Sequence, residues 1–340
     1  MRCTGFIAGF AAAASVLAAP ARSQELVVAI FGGSFADNAK ICHVAPFEKA
    51  TGAKVVFVFG SSPENIGRLR ATKGRPEIDV AYMDRQIVIQ AKAEGLLDEL
   101  STANVKNIKD LYPIAIDEDR RWVAFMFSGT AIAYNPQKVK TPPTSWADLW
   151  APEYKGKIAI SDVSYSAGMH FLIAASRLNG GSVENIDPGF EAIKRLRPGI
   201  VTFYTQADQV VTLIERGDII VAPWYVDRVG AAAAKGIPVA LAFPKEGTIG
   251  ITPTASVPLG SKRKELAEKY IDVLLSPEGQ KCYAERQYAG PTNKLVELPE
   301  AIAKMVPYKE NIDTIFFPDA GYIAKTLPTW ADRWAREIVR

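Results

Sequence analysis

Residues Trp122 to Asn135 read WVAFMFSGTAIAYN, an almost uninterrupted apolar run with Ser128, Gly129 and Thr130 in its middle. Asn135-Pro136 follows at once, and an aromatic-rich run ended by such a turn signal is typical of a long buried strand. The small Ser-Gly-Thr segment predicts a point where this strand passes from one lobe of the protein to another, beside a cleft. A central strand of one larger sheet is the alternative that this stretch leaves open.

The chain on both sides of this run alternates between strand and helix patterns. Before it, apolar runs at 25–31, 54–59 and 78–83 are separated by helical patterns at 35–50, 62–70 and 85–93. After it, strands are predicted at 157–161, 200–204, 218–222 and 239–243, and 248–258 has the pattern of a second crossing. Strands separated by helical crossovers predict parallel sheets with helices on their faces. The sequence therefore favours an α/β fold in two lobes.

The N-terminus has the zones of a secretory signal. Arg2 supplies the positive charge, 5–19 the apolar core, and the small residues up to Ser23 suit cleavage. We therefore expect residues 1–23 to be a signal peptide and the mature protein to be exported to the periplasm. Beyond this segment, 38 basic side chains face 37 acidic ones, a balance that argues against a nucleic-acid surface.

Signals for catalysis and for metals are weak. His43 and His170 have no metal-ligand partner at a useful spacing, and no phosphate-binding or serine-hydrolase motif is present in the sequence. We therefore expect neither an enzyme nor a metal or cofactor site. Cys42 and Cys282 remain after removal of the signal, and in an oxidising compartment a disulfide and two free buried thiols are both open.

In open α/β sheets, small molecules bind at the carboxyl ends of the strands. The residues at these ends are small, hydroxylated, aromatic or charged, as a pocket for a polar solute requires. Each also has a structural alternative: an ion pair for Asp84, a helix cap for 164–168, and a core aromatic for Trp224. The candidate ligand-binding residues are Gly33, Ser34, Phe35, Ser61, Asp84, Arg85, Ser128, Gly129, Thr130, Asp162, Ser164, Tyr165, Ser166, Trp224 and Thr252.

Several segments, in their order along the chain, resemble one family. They are SWADLW at 145–150, YKGK at 154–157, GDIIVA at 217–222, FPKEG at 243–247 and LSPEGQ at 275–280. With the signal peptide and the βαβαβ start, they resemble the periplasmic substrate-binding proteins of ABC importers. The closest branch is the type II receptors for polyamines (spermidine, putrescine) and ferric iron, and the resemblance covers the whole mature chain.

This resemblance implies a two-lobe fold in which each lobe is discontinuous in sequence. Lobe 1 would combine 24–128 with 252–294, and lobe 2 would combine 131–249 with 297–340. Hinge crossings would lie near 128–131, 249–252 and 294–297. Cys42 and Cys282 would then both belong to lobe 1, which makes a disulfide between them easier to form.

The resemblance also carries ligand-binding positions over to this chain. Residues of the polyamine receptors fall on Phe35, Asp84, Asp162 and Trp224. Their amine-binding carboxylate in the second crossing falls near Pro253, where this chain has no acid, and the adjacent tyrosines of the iron branch are not matched by Tyr204 and Tyr225. A polyamine-like amine is the favoured ligand. A small organic anion, for which 164–168 and Thr252 leave room, and iron remain as alternatives.

The function that the resemblance implies is a monomeric receptor. It would capture a small polar solute between its lobes and deliver it to an ABC permease in the inner membrane. One rival is an enzyme on the same fold with Cys282 or Asp84 as nucleophile or base, and another is a periplasmic sensor partner for a signalling receptor.

Overall fold

The computed structural model describes residues 24–303, 305–309, 312 and 315–340. The expected signal peptide at 1–23 lies outside the described residues. The strands are β1 (Glu25–Ile30), β2 (Lys54–Phe59), β3 (Val80–Asp84), β4 (Val123–Ala124), β5 (Met126–Tyr134), β6 (Ile158–Ser161), β7 (Ile200–Tyr204), β8 (Val221–Tyr225), β9 (Ala240–Ala242), β10 (Ile249–Ile251), β11 (Pro253–Ser256) and β12 (Gly290–Pro291).

Helices connect most of these strands. The α-helices are α1 (Ser34–Ala39), α2 (Ala45–Thr51), α3 (Ser62–Ala71), α4 (Arg85–Ala93), α5 (Ser166–Leu178), α6 (Asp187–Leu196), α7 (Gln209–Arg216), α8 (Val226–Ala234), α9 (Lys264–Leu275), α10 (Pro277–Gln287), α11 (Glu300–Ala303) and α12 (Ala320–Trp334). A π-helical turn, Lys40–Val44, joins α1 to α2, and another, Ala335–Val339, follows α12. Short 3₁₀ turns include Trp146–Trp150.

Sheet 1 has the strand order β2-β1-β3-β11-β4. β1 pairs in parallel with β2 and β3, because α1–α2 and α3 return the chain to the same edge each time. β11 comes from much later in the sequence and lies antiparallel between β3 and β4. The carboxyl ends of β1, β2 and β3 therefore lie at one edge of this sheet.

Sheet 2 has the order β10-β5-β8-β6-β7, with β9 and β12 also paired to β5. β6 lies parallel to β7 and β8, whereas β8 and β10 are antiparallel to β5. β8 continues through Pro223 to Tyr225, three residues beyond the predicted strand end at 222. This shift changes which side chains face the space between the sheets.

Two passages of the chain between the sheets lie side by side. The run 122–135 divides at Phe125, with β4 in sheet 1 and β5 in sheet 2, so the passage precedes the Ser-Gly-Thr segment. Ser128, Gly129 and Thr130 are ladder residues of β5 opposite β10. The second passage separates β10 from β11 at Thr252. The two passages touch, because the Phe125 amide donates a hydrogen bond to the Pro253 carbonyl at 3.3 Å.

Sheet 1 packs on a buried aromatic cluster of Phe35, Tyr82, Phe125 and Tyr283. The ring centroids of Tyr82 and Phe125 lie 4.7 Å apart, and those of Phe35 and Tyr283 lie 5.4 Å apart. Burial of such rings stabilises the sheet and its helices together. Phe35 is 2% exposed and reaches from this cluster to the space between the sheets.

A disulfide joins Cys42 in the π-helical turn to Cys282 in α10, with the two Sγ atoms 1.98 Å apart. Tyr283, the next residue of α10, donates a hydrogen bond from its hydroxyl to the Phe35 carbonyl at 3.0 Å. The disulfide therefore fastens α10 to the helical segment that carries Phe35.

Candidate functional site

A cavity lies between the two sheets, where β1, β3, β7 and β8 end. Sheet 1 and its helices contribute, among other residues, Phe31, Phe35, Ser61, Ser62, Asp84 and Gln86. The side of sheet 2 contributes the segment 164–166, Tyr204, Asp208, Tyr225, Asp227 and Arg228. The cavity offers about 90 Å³ to the centres of water-sized molecules. Since one water needs roughly 10–15 Å³ on this measure, the space suits a solute of fewer than about ten non-hydrogen atoms.

Asp84 is the buried carboxylate at the end of β3. Its side chain is 8% exposed, and its Oδ2 accepts a hydrogen bond from the Ser166 hydroxyl at 2.5 Å. Its backbone amide donates to the Ser62 hydroxyl at 2.9 Å. Burial raises the pKa of Asp84 to about 6, against the hydrogen bonds from Ser166 and Ser62, which lower the pKa. Among the described residues, no cationic side chain forms an ion pair with this carboxylate.

Ser166 connects the two sheets. It lies in the first turn of α5, on the side of sheet 2, and donates to Asp84 while its hydroxyl accepts a hydrogen bond from Gln86 Nε2 at 2.9 Å. The next amide, of Ala167, donates to the Tyr225 hydroxyl at 3.2 Å. At least one backbone amide at the N-terminus of α5 therefore already donates a hydrogen bond within the protein.

Arg228, in α8, carries the positive charge of the cavity. It is 5% exposed, and its Nη1 donates to the Gly32 carbonyl at 2.9 Å, to Ser34 Oγ at 3.4 Å and to Asp208 Oδ1 at 3.2 Å. The guanidinium carbon lies 5.2 Å from the centroid of the Phe35 ring, within the range of a cation–π contact. Arg228 thus bonds to groups on both sides of the cavity.

Asp227 lies beside Arg228, and its carboxylate is held by neutral donors. Ser128 Oγ donates to Oδ1 at 2.5 Å, and Gln287 Nε2 donates to Oδ2 at 3.1 Å. Burial raises the pKa of Asp227, while the Arg228 charge and these hydrogen bonds lower it. The carboxylates of Asp227 and Asp208 lie 3.9 and 3.2 Å from Arg228. The guanidinium charge is therefore already balanced within the protein.

Some of the predicted site residues meet at this cavity. Those that line it are Phe35, Ser61, Asp84, Ser164, Tyr165 and Ser166. Ser34 lies just behind the lining and contacts Arg228, and Gly33 contacts Asp208. Their positions show only that they lie at the cavity and near one another. That they bind a solute stays a prediction.

The other predicted site residues do not line the cavity. The Arg85 guanidinium carbon lies 5.6 Å from the centroid of the Trp122 ring, and Asp162 Oδ1 accepts from the Ser164 amide at 2.9 Å. Ser128 bonds to Asp227 as described, and Thr130 Oγ1 lies 2.8 Å from His170 Nδ1. The remaining ones are Gly129, which faces β10, the buried Thr252, and Trp224.

Trp224 is 1% exposed and packs in a hydrophobic cluster on the far face of β8. Side chains alternate between the two faces of a strand, so its neighbour Tyr225 faces the cavity instead. Tyr225 is half-buried, and desolvation of its hydroxyl raises its pKa. The aromatic position expected from the sequence is therefore displaced by one residue.

Three charged residues of the cavity were not expected from the sequence: Asp208, Asp227 and Arg228. Asp227-Arg228 stands directly after β8, in a segment that otherwise reads VGAAAA. A charged pair at a strand end followed by small apolar residues is the signal that would have found them. No helix was predicted at 226–234, so this charged pair was not recognised as part of a strand-to-helix connection.

Two further features bear on chemistry. Within the part of the chain that the structure describes, no three His, Cys, Asp or Glu side chains come together as a metal site would need. The described helices likewise include none with the length and apolar character needed to cross a membrane.

Comparison with known proteins places the chain in a family. A model of the bacterial extracellular solute-binding proteins matches residues 43–332. The chain is 27% identical to the spermidine/putrescine-binding periplasmic protein of Salmonella typhimurium, over 82% of this chain and 80% of that protein. It is 26% identical to the gamma-aminobutyric acid-binding protein of Pseudomonas aeruginosa, over 93% of each.

Solved structures confirm the predicted two-lobe α/β fold class. The periplasmic binding protein AfuA from Actinobacillus pleuropneumoniae, solved with fructose-6-phosphate, aligns with a TM-score of 0.79 at 21% identity, over 94% of this chain and 99% of that one. At this identity the likeness concerns the fold. The match of the family model over most of the sequence shows more: the chain belongs to the bacterial extracellular solute-binding proteins, as its motifs predict.

Proposed function

We propose that this protein is the periplasmic receptor of an ABC importer for a small amine-bearing solute, of the polyamine-like kind. The two sheets with their helices act as two lobes, about 24–125 with 252–294 and about 126–251 with 297–340, joined by crossings at Phe125, at Thr252 and near 294–297. The protein is exported by the signal peptide at 1–23, works as a monomer, and delivers the solute unchanged to the permease.

The observation that carries the proposed ligand class is the state of Asp84. It is a buried carboxylate in the wall of the cavity, its recorded hydrogen bonds are with hydroxyl groups, and no described side chain forms an ion pair with it. A buried carboxylate without a counter-charge is unfavourable unless a cation joins it. An ammonium group of the solute supplies that cation and donates up to three hydrogen bonds.

The rest of the cavity supports the same ligand class. Asp208 and Asp227 already balance the positive charge of Arg228. When Asp84 is ionised, the charged side chains of the cavity therefore carry a net negative charge. The half-buried Tyr225 ring lines the cavity and offers apolar surface for the methylene groups of an alkyl amine. A four-carbon diamine fits the space of fewer than about ten non-hydrogen atoms. The related protein of Salmonella typhimurium is named for spermidine and putrescine.

Isothermal calorimetry at pH 7 tests this proposal with putrescine, spermidine, a dicarboxylate and Fe³⁺. We expect binding of an amine, its loss in Asp84→Asn, and recovery of the amine unchanged after incubation. Asp162→Asn is the matched control, because Asp162 also follows a strand but lies outside the cavity lining. Tight binding of the dicarboxylate or Fe³⁺ in preference to every amine would refute the proposed ligand class.

A second candidate is an amine that also carries a carboxylate, such as an ω-amino acid. Arg228 favours it: the recorded hydrogen bonds of its guanidinium are all donated by Nη1, so that Nη2 has no such partner among the described residues. The related protein of Pseudomonas aeruginosa is named for gamma-aminobutyric acid. Gamma-aminobutyrate and putrescine have similar length, and their relative affinities for the wild-type protein decide between the candidates.

A further inference from the structure

Gly33 lies where the side of sheet 2 comes nearest to the turn between β1 and α1. Its φ is +64°, and a Cβ at this position would lie 1.6 Å from Asp208 Oδ2 and 2.3 Å from Asp208 Cγ. Asp208 immediately precedes α7 on the side of sheet 2. The carboxylate therefore occupies the space that any side chain at Gly33 would need.

The same carboxylate is tied to Arg228. Asp208 Oδ1 accepts from Arg228 Nη1 at 3.2 Å, and that nitrogen also donates to the Gly32 carbonyl and to Ser34 Oγ on the other side. The Asp208 side chain is 45% exposed at the mouth of the cavity, whereas that of Arg228 is 6% exposed. Two residues from the side of sheet 2 thus contact the β1–α1 turn of sheet 1: Asp208 at the exposed mouth of the cavity and Arg228 in its buried part.

Other contacts across the mouth are weaker. Gln206 Nε2 lies 3.5 Å from Glu64 Oε2, and Lys235 Nζ lies 3.9 Å from Asp37 Oδ2, in exposed positions. Exposed pairs at these distances contribute little. The buried guanidinium and its acceptors are better shielded from water, and charge-assisted hydrogen bonds are stronger in such an environment.

We infer that Gly33, Asp208 and Arg228 form a clasp that stabilises the closed arrangement of the two lobes through protein groups alone. All its contacts across the cavity require the β1–α1 turn to be adjacent to α7 and α8, so they are lost when the lobes separate. A contact made in one state and not in the other shifts the equilibrium towards that state. The clasp therefore raises the closed fraction of the solute-free protein, beside the buried hydrogen bonds of Ser166 with Asp84 and Gln86, and Gly33 is a positioning residue for closure.

This inference rests on the proposed closure of the lobes, and its test uses the solute-free protein. Spin labels at Lys49→Cys and Glu215→Cys, both exposed, report the distance between α2 and α7 by double electron–electron resonance. We expect Gly33→Ala to raise the ratio of long to short distances at least threefold. Asp208→Ala should raise it too, because it removes an acceptor of Arg228. An error in the identity of the solute does not affect this measurement.

The double variant separates the clasp from backbone strain. If the added methyl group acts by displacing the Asp208 carboxylate, Gly33→Ala has no further effect in the Asp208→Ala background. Gly95→Ala is the matched control, since Gly95 has the same φ of +64° and a Cβ there meets no atom within 4 Å. It should leave the distance distribution unchanged.

Three results would overturn the clasp. They are an unchanged distribution in Gly33→Ala, an equal effect of Gly33→Ala with and without the Asp208 side chain, and an equal effect of Gly95→Ala. If Gly33→Ala does not fold, as judged by thermal unfolding, Asp208→Ala decides: an unchanged distance distribution in that variant refutes the clasp.

Discussion

The pH dependence of solute binding tests the assigned role of Asp84 most directly. Burial raises the pKa of this carboxyl to about 6, so that it is mostly ionised at pH 7 and mostly protonated at pH 5. The protonated carboxyl no longer attracts an ammonium group. Affinity for an amine is therefore nearly complete at pH 7, about halved at pH 6 and mostly lost at pH 5.

The size of the effect follows from the titration. For a pKa of about 6, the ionised fraction falls from roughly nine tenths at pH 7 to one tenth at pH 5, so the dissociation constant for an amine rises about tenfold. Replacing Asp84 by Asn removes a charge-assisted hydrogen bond worth about 2–3 kcal/mol, and affinity at pH 7 falls about 30- to 150-fold.

The assay is calorimetry at pH 7, 6 and 5 on the wild type and on Asp84→Asn. The two histidines do not interfere, because burial lowers the pKa values of His43 and His170 to about 3, and both stay neutral throughout this range. We expect a flatter pH profile in Asp84→Asn than in the wild type, because of the two cavity carboxylates whose pKa values burial raises, Asp84 and Asp227, only Asp227 remains. Affinity that rises on acidification, or an equal slope in the variant and the wild type, would refute the role of Asp84.

Four further variants test which residues bind the solute and which stabilise the fold. Trp224→Ala should lower the free energy of unfolding by about 3–5 kcal/mol in urea denaturation. Tyr225→Ala should instead weaken amine binding at least about fivefold in calorimetry. The reverse pattern would contradict the assignment of Trp224 to the core and of Tyr225 to the cavity. Replacing Cys42 and Cys282 together by Ser should lower the free energy of unfolding by about 2–5 kcal/mol, and denaturation equal to that of the oxidised wild type would argue against a stabilising disulfide. Gly168→Ala should cost about 1–3 kcal/mol in thermal unfolding, because its Cβ would lie 2.2 Å from the Asp162 carbonyl oxygen; an unchanged melting temperature would show that α5 shifts freely.

The regular elements of the fold were predictable because their patterns are local. β2, β7 and α4 have the bounds that the sequence indicates, and sheet 1 is parallel where helices return the chain. The passage between sheets was placed at Ser128–Thr130, since small polar residues in an apolar run suggest a break. The structure divides the run at Phe125, where backbone pairing changes partners, and no local composition marks such a change.

The cavity was predictable at the strand ends of sheet 1 but less so at those of sheet 2. A proline after an apolar run predicts the end of a strand, here at 222, but β8 continues through Pro223 opposite Ile132. β8 pairs with β6 at Val221, and at Pro223 it pairs with β5. A proline is tolerated there because its missing N–H is not needed for pairing with β6. Because β8 continues, Trp224 and Tyr225 alternate between its two faces, and a strand that ends at 222 does not predict which of them faces the cavity.

The late arrival of β11 in sheet 1 has a consequence for how the protein is made. β4 is synthesised at Val123–Ala124, but its ladder partner is not complete until Ser256 has left the ribosome. For more than a hundred residues of elongation the N-terminal sheet lacks the strand that joins β3 to β4. A nascent chain in that condition cannot complete its N-terminal sheet, because pairing between distant segments has to wait until the later one is made.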